Sequence, residues 1–301
     1  MTQNWPSPNK STKRSLTDMV LTSQLLTSQL PLSQRRPNKT RLIFAALAIL
    51  IALLAGLVFL AWQHFYPVTV ADGWSSRVFL DELPYVSALA RDKHGLLYVT
   101  QELNNKHGNV FTLDASGARK VALAGLSKPD GLASFGDGMV VSQEGGEHPL
   151  LWIHGGEIEA LFVAKNAEGI ATDGRFLYVI EDRPGDGRLL RFDPSTKVVT
   201  VLREGLHAGE GVAVCPDGQL YYAEKGRGWV KRWRSEGRDE VVLGGLNAPG
   251  FLMCNDEGLW VTEDATHRAR LLLLDRLGSL QVILKHLRSA QTVLSLAPGH
   301  L

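Results

Sequence analysis

A short hydrophobic segment, a tight polar turn and a second hydrophobic segment recur about every 40 residues through most of this chain. The opening segments begin at Ala88, Gly131, Gly169, Gly211, Gly250 and Thr292, and turns follow at 93–95, 136–138, 173–175, 216–218, 256–258 and 298–299. Asp-Gly and its relatives supply the positive φ that a tight hairpin needs. Third and fourth hydrophobic segments complete each of the first five units, around residues 110–113 and 121–123 in the first. Hairpin turns inside each unit make the sheets antiparallel, which argues against a parallel solenoid. Four-stranded units at this spacing are propeller blades. Residues 77–83 resemble a fourth strand placed ahead of the first opening segment, so they are expected to close the ring. The count of opening strands predicts an all-β, six-bladed β-propeller. Its sixth blade is incomplete, because the sequence stops at Leu301 where that blade's second strand would begin.

Ahead of the repeats, residues 42–62 contain no charged residue. A run of that length crosses about 30 Å of hydrocarbon as a helix. Lys10, Lys13, Arg14, Arg35, Arg36, Lys39 and Arg41 precede it, and the next basic residue is Arg77. Positive charge stays on the cytoplasmic side, which predicts a cytoplasmic N-terminus and an extracytoplasmic repeat domain. The expected organisation is a Ser/Thr/Gln/Pro-rich disordered tail (1–41), a transmembrane helix (42–62), a linker (63–73) and a propeller (74–301). The acceptor motifs at Asn9 and Asn38 fall on the untranslocated side.

Net charge is +1, with 32 basic and 31 acidic residues. Beyond the tail the basic residues are dispersed, so nothing points to nucleic acid. Cys215 and Cys254 sit at matching points of successive units, and their spacing leaves open whether they bridge.

In an antiparallel blade the start of strand one and the end of strand two lie at the same edge, so these positions converge at one mouth of the channel. The aligned entry positions are Ser87, Asp130, Glu168, Glu210 and Gln291, with Pro249 in the shortened fifth unit. The exits are Gln101, Gln143, Glu181, Glu224 and Glu263, followed by Glu102, Glu144, Asp182 and Asp264. The exits suit capping of backbone N–H groups. Asp130, Glu168 and Glu210 are three successive acids at one register, and must either repel or share a cation. Calcium, which takes six to eight oxygens, is the kind of divalent cation such a set accepts. The histidines fall in turns and edges without ligand spacing.

Three stretches, residues 129–133, 97–105 and 211–222, resemble the six-bladed propellers of the gluconolactonase, senescence-marker-protein and strictosidine-synthase-like superfamily, with NHL-repeat proteins as relatives. The resemblance spans residues 77–301. It implies a divalent cation in the channel, which the lactonase branch holds with Glu, Asn and Asp at blade entries. The matching positions here carry Asp130, Glu168 and Glu210, with Ser87 at the first entry and no Asn at any. The strictosidine-synthase branch instead uses a channel glutamate, a setting that Glu210 shares. Two functions follow as expectations. One is a membrane-anchored, metal-dependent lactonase-like hydrolase, with Glu210 and Asp130 moving protons. The other is a non-enzymatic propeller that binds a protein or carbohydrate at its mouth.

Overall fold

The computed structural model describes residues 38–114, 116–297 and 299–301, and for residues 63–65 the backbone alone. Most of the expected tail, residues 1–37, lies outside these. The chain divides into two units, residues 1–59 and 60–301. A single helix, Lys39–Phe65, covers the apolar run. Its Lys39–Trp62 portion is long and apolar enough to cross a membrane. A helix satisfies its own backbone polar groups, as lipid demands.

The second unit contains five sheets. Four are four-stranded meanders spanning residues 86–126, 129–165, 167–206 and 209–243. The fifth spans 249–287 and gains an outer strand, Thr69–Val70, paired antiparallel with Leu280–Leu287. The five innermost strands are Val86–Arg91, Pro129–Phe135, Ala167–Thr172, Gly209–Val214 and Pro249–Cys254, each packed on the next in chain order. Between blades lie the cores. Phe135, Val140 and Leu150 meet Ile170, Val179 and Phe192 in one, and Ala223 and Val230 meet Leu252, Val261 and Leu272 in another. This is the alternate-residue burial that sheet faces produce when both are covered.

The propeller therefore has five blades, not the six that the repeat count predicts. The sixth opening segment, Thr292 to Ser295, forms no strand. It matches the hydrophobic pattern of its predecessors but pairs with no strand among the described residues. A segment without regular secondary structure runs there instead. Ser289 N–H donates to Ala265 O at 2.8 Å, Ala290 N–H to Glu263 O at 3.2 Å, and Arg91 Nη1 to Leu296 O at 2.9 Å. That segment thus touches blade five and blade one. Residues 77–83 are not the closing strand either. They run without strand pairing, with Arg119 Nη1 donating to Glu82 O at 3.1 Å, and Thr69–Val70 takes the outer place on blade five. Trp74 then covers that blade's free face, edge-on to the fully buried Trp260 at 5.7 Å between ring centroids.

Cys215 and Cys254 form a disulfide with Cα atoms 4.9 Å apart. It staples the strand-one-to-two turns of blades four and five, at the rim opposite the entry positions. The bridge closes a segment with a sequence separation of 39. Cross-linking a loop of that length removes about 4 kcal/mol of denatured-chain entropy in the polymer model, and about 2–4 is typical. The double substitution Cys215→Ser/Cys254→Ser is expected to lower the urea-unfolding free energy by that amount. Equal stability of the two forms would contradict it.

Candidate functional site at the channel mouth

Each innermost strand begins with the same backbone device. Two residues ahead of the entry side chain stands a left-handed non-glycine residue: Tyr85, Lys128, Asn166, Ala208 and Ala248, with φ between 46° and 61°. Its carbonyl accepts the N–H of the residue after the exit, from Glu102 to Asp264, at 2.7–2.9 Å. A bulge follows at the entry residue itself, between Pro129 and Leu132 in blade two and at the matching place in the others. Bulges re-aim side chains, and here they direct the entry residue into the mouth. This register places Gly250, not Pro249, at the fifth entry, because Pro249 pairs with Glu263 as Pro129 pairs with Gln143. Ser289 (φ 44°) repeats the left-handed residue two places before Gln291. Thr262 Oγ1 bonds Gln291 O at 3.5 Å much as Ser142 Oγ bonds Glu168 O at 2.6 Å. Gln291 therefore stands at an entry register although it belongs to none of the five described sheets.

The exit residues are scaffold. Gln143, Glu181, Glu224 and Glu263 accept the N–H groups of Ser127, Lys165, His207 and Asn247 at 2.7–3.1 Å, tying each blade to the loop that enters it. Their charges are matched from the third strand. Arg188 Nε lies 2.6 Å from Glu181, Lys231 Nζ 2.7 Å from Glu224, and Arg270 Nε 2.7 Å from Glu263.

The entry acids are different. One carboxylate oxygen from each of Asp130, Glu168 and Glu210 lies within 4.8 Å of the other two. Asp130 and Glu168 are only 3% and 4% exposed. Ser87 Oγ donates to Asp130 Oδ1. Glu168 has no ion pair among the described residues. Together they line a cavity of about 370 Å³ with Glu102, Glu144, Asp182 and Asp264. Burial pushes Glu168 well above the usual carboxylate range, reinforced by the charges of Asp130 and Glu210. Burial likewise pushes Glu210 up to about 8, against the pull of Lys225. Burial and the neighbouring Asp130 raise Glu102.

Two lysines, which the repeat alignment did not single out, enter the same mouth. Lys225 Nζ lies 2.7 Å from Glu210 Oε1 and 2.6 Å from Asp264 Oδ2. Lys128 Nζ lies 3.1 Å from Glu102 Oε1 and pairs with Glu144. Lys225 was legible in one respect: it occupies the post-exit position at which the other four blades carry acids. At the opposite rim a groove of similar volume, beside the disulfide, holds Arg232 paired to Glu240 and Arg276 paired to Asp256.

The raised carboxyls have a pH signature. An unfolded glutamate releases its proton near 4.5, whereas Glu210 in the fold keeps it up to about 8. Between those values the native state binds more protons, so stability falls as pH rises through that window. Without divalent cation, Tm should drop from pH 5 to pH 8, and Glu210→Gln should flatten the drop. An unchanged slope in the variant would contradict this.

Fold and site together define a β-propeller, on a chain bearing one apolar helix, with a buried acidic cluster at one channel mouth. The strictosidine synthase family model matches residues 171–233. Over 103 residues the chain is 36% identical to a strictosidine synthase-like protein of Arabidopsis thaliana, a span covering 31% of this chain and 27% of that relative. Among solved structures, a putative gluconolactonase covers 73% of this chain over 84% of its own length, with a TM-score of 0.57 and 15% identity. A calcium-binding regucalcin of Agrobacterium tumefaciens covers 64% over 72% of its own, with a TM-score of 0.51 and 16% identity. At such identities the structures speak to fold alone. The resemblance read from the repeats is thus borne out, with five blades in place of six.

Proposed function

We propose that the mouth is a divalent-cation centre held by Asp130, Glu168 and Glu210, in a membrane-anchored hydrolase of the lactonase type. The observation that carries this reading is the carboxylate triangle. Ligand oxygens at about 2.4 Å from a shared calcium stand at most about 4.8 Å apart, and the three carboxylates meet that limit. Buried acids so close repel one another unless a proton or cation intervenes. Glu168, buried and without an ion pair, is the residue most in need of one. When bound, the cation would polarise a lactone or ester carbonyl. The residues supply the rest: Ser87 orients Asp130, and Glu210, which a bound cation would hold ionised, would be suited to take a proton from water. The departure from the lactonase branch, with Ser87 and Gly250 at entries and no Asn, favours a second reading in which the mouth binds a ligand without turning it over.

The basic residues ahead of the helix support a cytoplasmic N-terminus. The Cys215–Cys254 bridge supports an oxidising compartment for the propeller.

Calcium titrated into the full chain in detergent tests the centre. At about 100 times Kd it should add about 2.7 kcal/mol, a Tm rise of roughly 5–10 °C for a domain of this size. Glu168→Gln should abolish the rise. No rise with calcium, magnesium or manganese would sink the cation reading and leave the plain binding module.

A further inference from the structure

Of the five post-exit positions, four carry acids and the fourth blade carries Lys225. Its backbone is anchored: the N–H bonds Ala208 O at 2.8 Å, and a short 3-10 turn, Lys225–Arg227, follows directly. The side chain reaches across the mouth and is held there by two ion pairs. Its ammonium bridges two registers at once, Glu210 of the entry ring at 2.7 Å and Asp264 of the post-exit ring at 2.6 Å. The other oxygen of Asp264 accepts from Gln291 Nε2 at 2.9 Å. A continuous chain from Gln291 through Asp264 and Lys225 to Glu210 thus secures one side of the mouth. On the other side Lys128 serves Glu102 and Glu144. Asp130 and Glu168 have no lysine or arginine partner among the described residues.

We propose that Lys225 is a tethered counter-cation of the mouth, seated on the Glu210 oxygen that a free divalent ion must contest. This rests on the cation reading of the site. Asp130 and Glu168 would hold the ion, and Glu210 would join them only as Lys225 shifts its weight onto Asp264. Lys225 therefore acts as a positioning residue that holds affinity down and keeps the ion-free mouth from flying apart by charge repulsion. A unit charge a few ångströms away, in a partly buried setting, is amply strong enough to change a binding constant by an order of magnitude.

The test is calorimetric titration of calcium alone into the full chain in detergent at pH 9, where Glu210 carries its charge, for wild type, Lys225→Met and Lys225→Arg, with ion-free Tm measured alongside. Lys225→Met is expected to tighten calcium binding at least ten-fold and to lower the ion-free Tm. Lys225→Arg, which keeps the charge, should stay near wild type in both. Removing the carboxylate as well, in Lys225→Met/Glu210→Gln, should restore most of the lost Tm. If wild type binds calcium and Lys225→Met binds it equally or more weakly, the inference is overturned and the cation centre stands. If only Lys225→Met binds calcium, the inference stands and the cation reading of the natural chain falls. If neither binds, the cation reading falls and the Tm series decides. A drop rescued by Glu210→Gln upholds the counter-cation, and an unchanged Tm overturns it.

Discussion

Replacing Gly211 with alanine is expected to destabilise the propeller by about 3 kcal/mol or more, at the upper end of what overpacking costs. A Cβ at this position would lie 2.5 Å from Gly250 O, 2.7 Å from Leu252 N and 2.8 Å from Phe251 Cα. All three are backbone atoms of the next blade's innermost strand, so no side chain can swing aside to relieve the clash. Gly211 does not need a positive φ, which separates this effect from backbone strain. The two strands must move apart, and Glu210, the preceding residue, moves with them. In a domain of this size the loss corresponds to a fall in Tm of roughly 6–12 °C. Gly174→Ala is the contrasting control: its φ is +86° and nothing lies within 4 Å of the added carbon. It should cost only the about 1–2 kcal/mol of a left-handed alanine. Thermal and urea unfolding of both variants decides the matter, and a Gly211→Ala Tm within 2 °C of wild type would contradict this account of blade spacing.

Glu224→Ala should be the most damaging of the exit substitutions. The side chain is 1% exposed. It accepts the N–H of His207 at 3.1 Å and pairs with Arg227 at 3.0 Å and Lys231 at 2.7 Å. Truncation removes the acceptor and leaves two cations facing a cavity. Breaking a buried pair by deleting one partner costs about 3–5 kcal/mol. Glu224→Gln should cost less, because an amide oxygen can still accept the His207 N–H, as Gln143 accepts that of Ser127. Urea unfolding curves give both values. Equal losses for the two variants would show that charge, not the tie to the entering loop, is what the position supplies.

The parts of this molecule that repeat were legible in its residues. The turn signals and hydrophobic segments mark the five blades that form. Equal offsets in each unit bring Asp130, Glu168 and Glu210 to one register, and the structure does place their carboxylates together. The reading failed where the repeat ends. Thr292 to Ser295 looks like its predecessors but pairs with no strand among the described residues, so pattern alone counted a blade that the structure does not form. Thr69–Val70 is too short to register as a strand except by its pairing. The fifth entry was misplaced by one residue because glycine carries no side chain to mark it. Lys128 and Lys225 escaped notice for a different reason. Their partners, Glu102 and Glu144 for one and Glu210 and Asp264 for the other, include residues of neighbouring blades, and lateral placement follows from ring curvature rather than from spacing. The disulfide likewise needed the 4.9 Å approach of two turns whose equivalence alone was visible.

The most direct test of the cation centre is anomalous diffraction from crystals of the chain grown in calcium, recorded at long wavelength. A single peak within about 2.3–2.6 Å of oxygens from Asp130, Glu168 and Glu210 is the predicted result. A mouth with no peak, its three carboxylates turned away from one another and an ion bound elsewhere or nowhere, would contradict it.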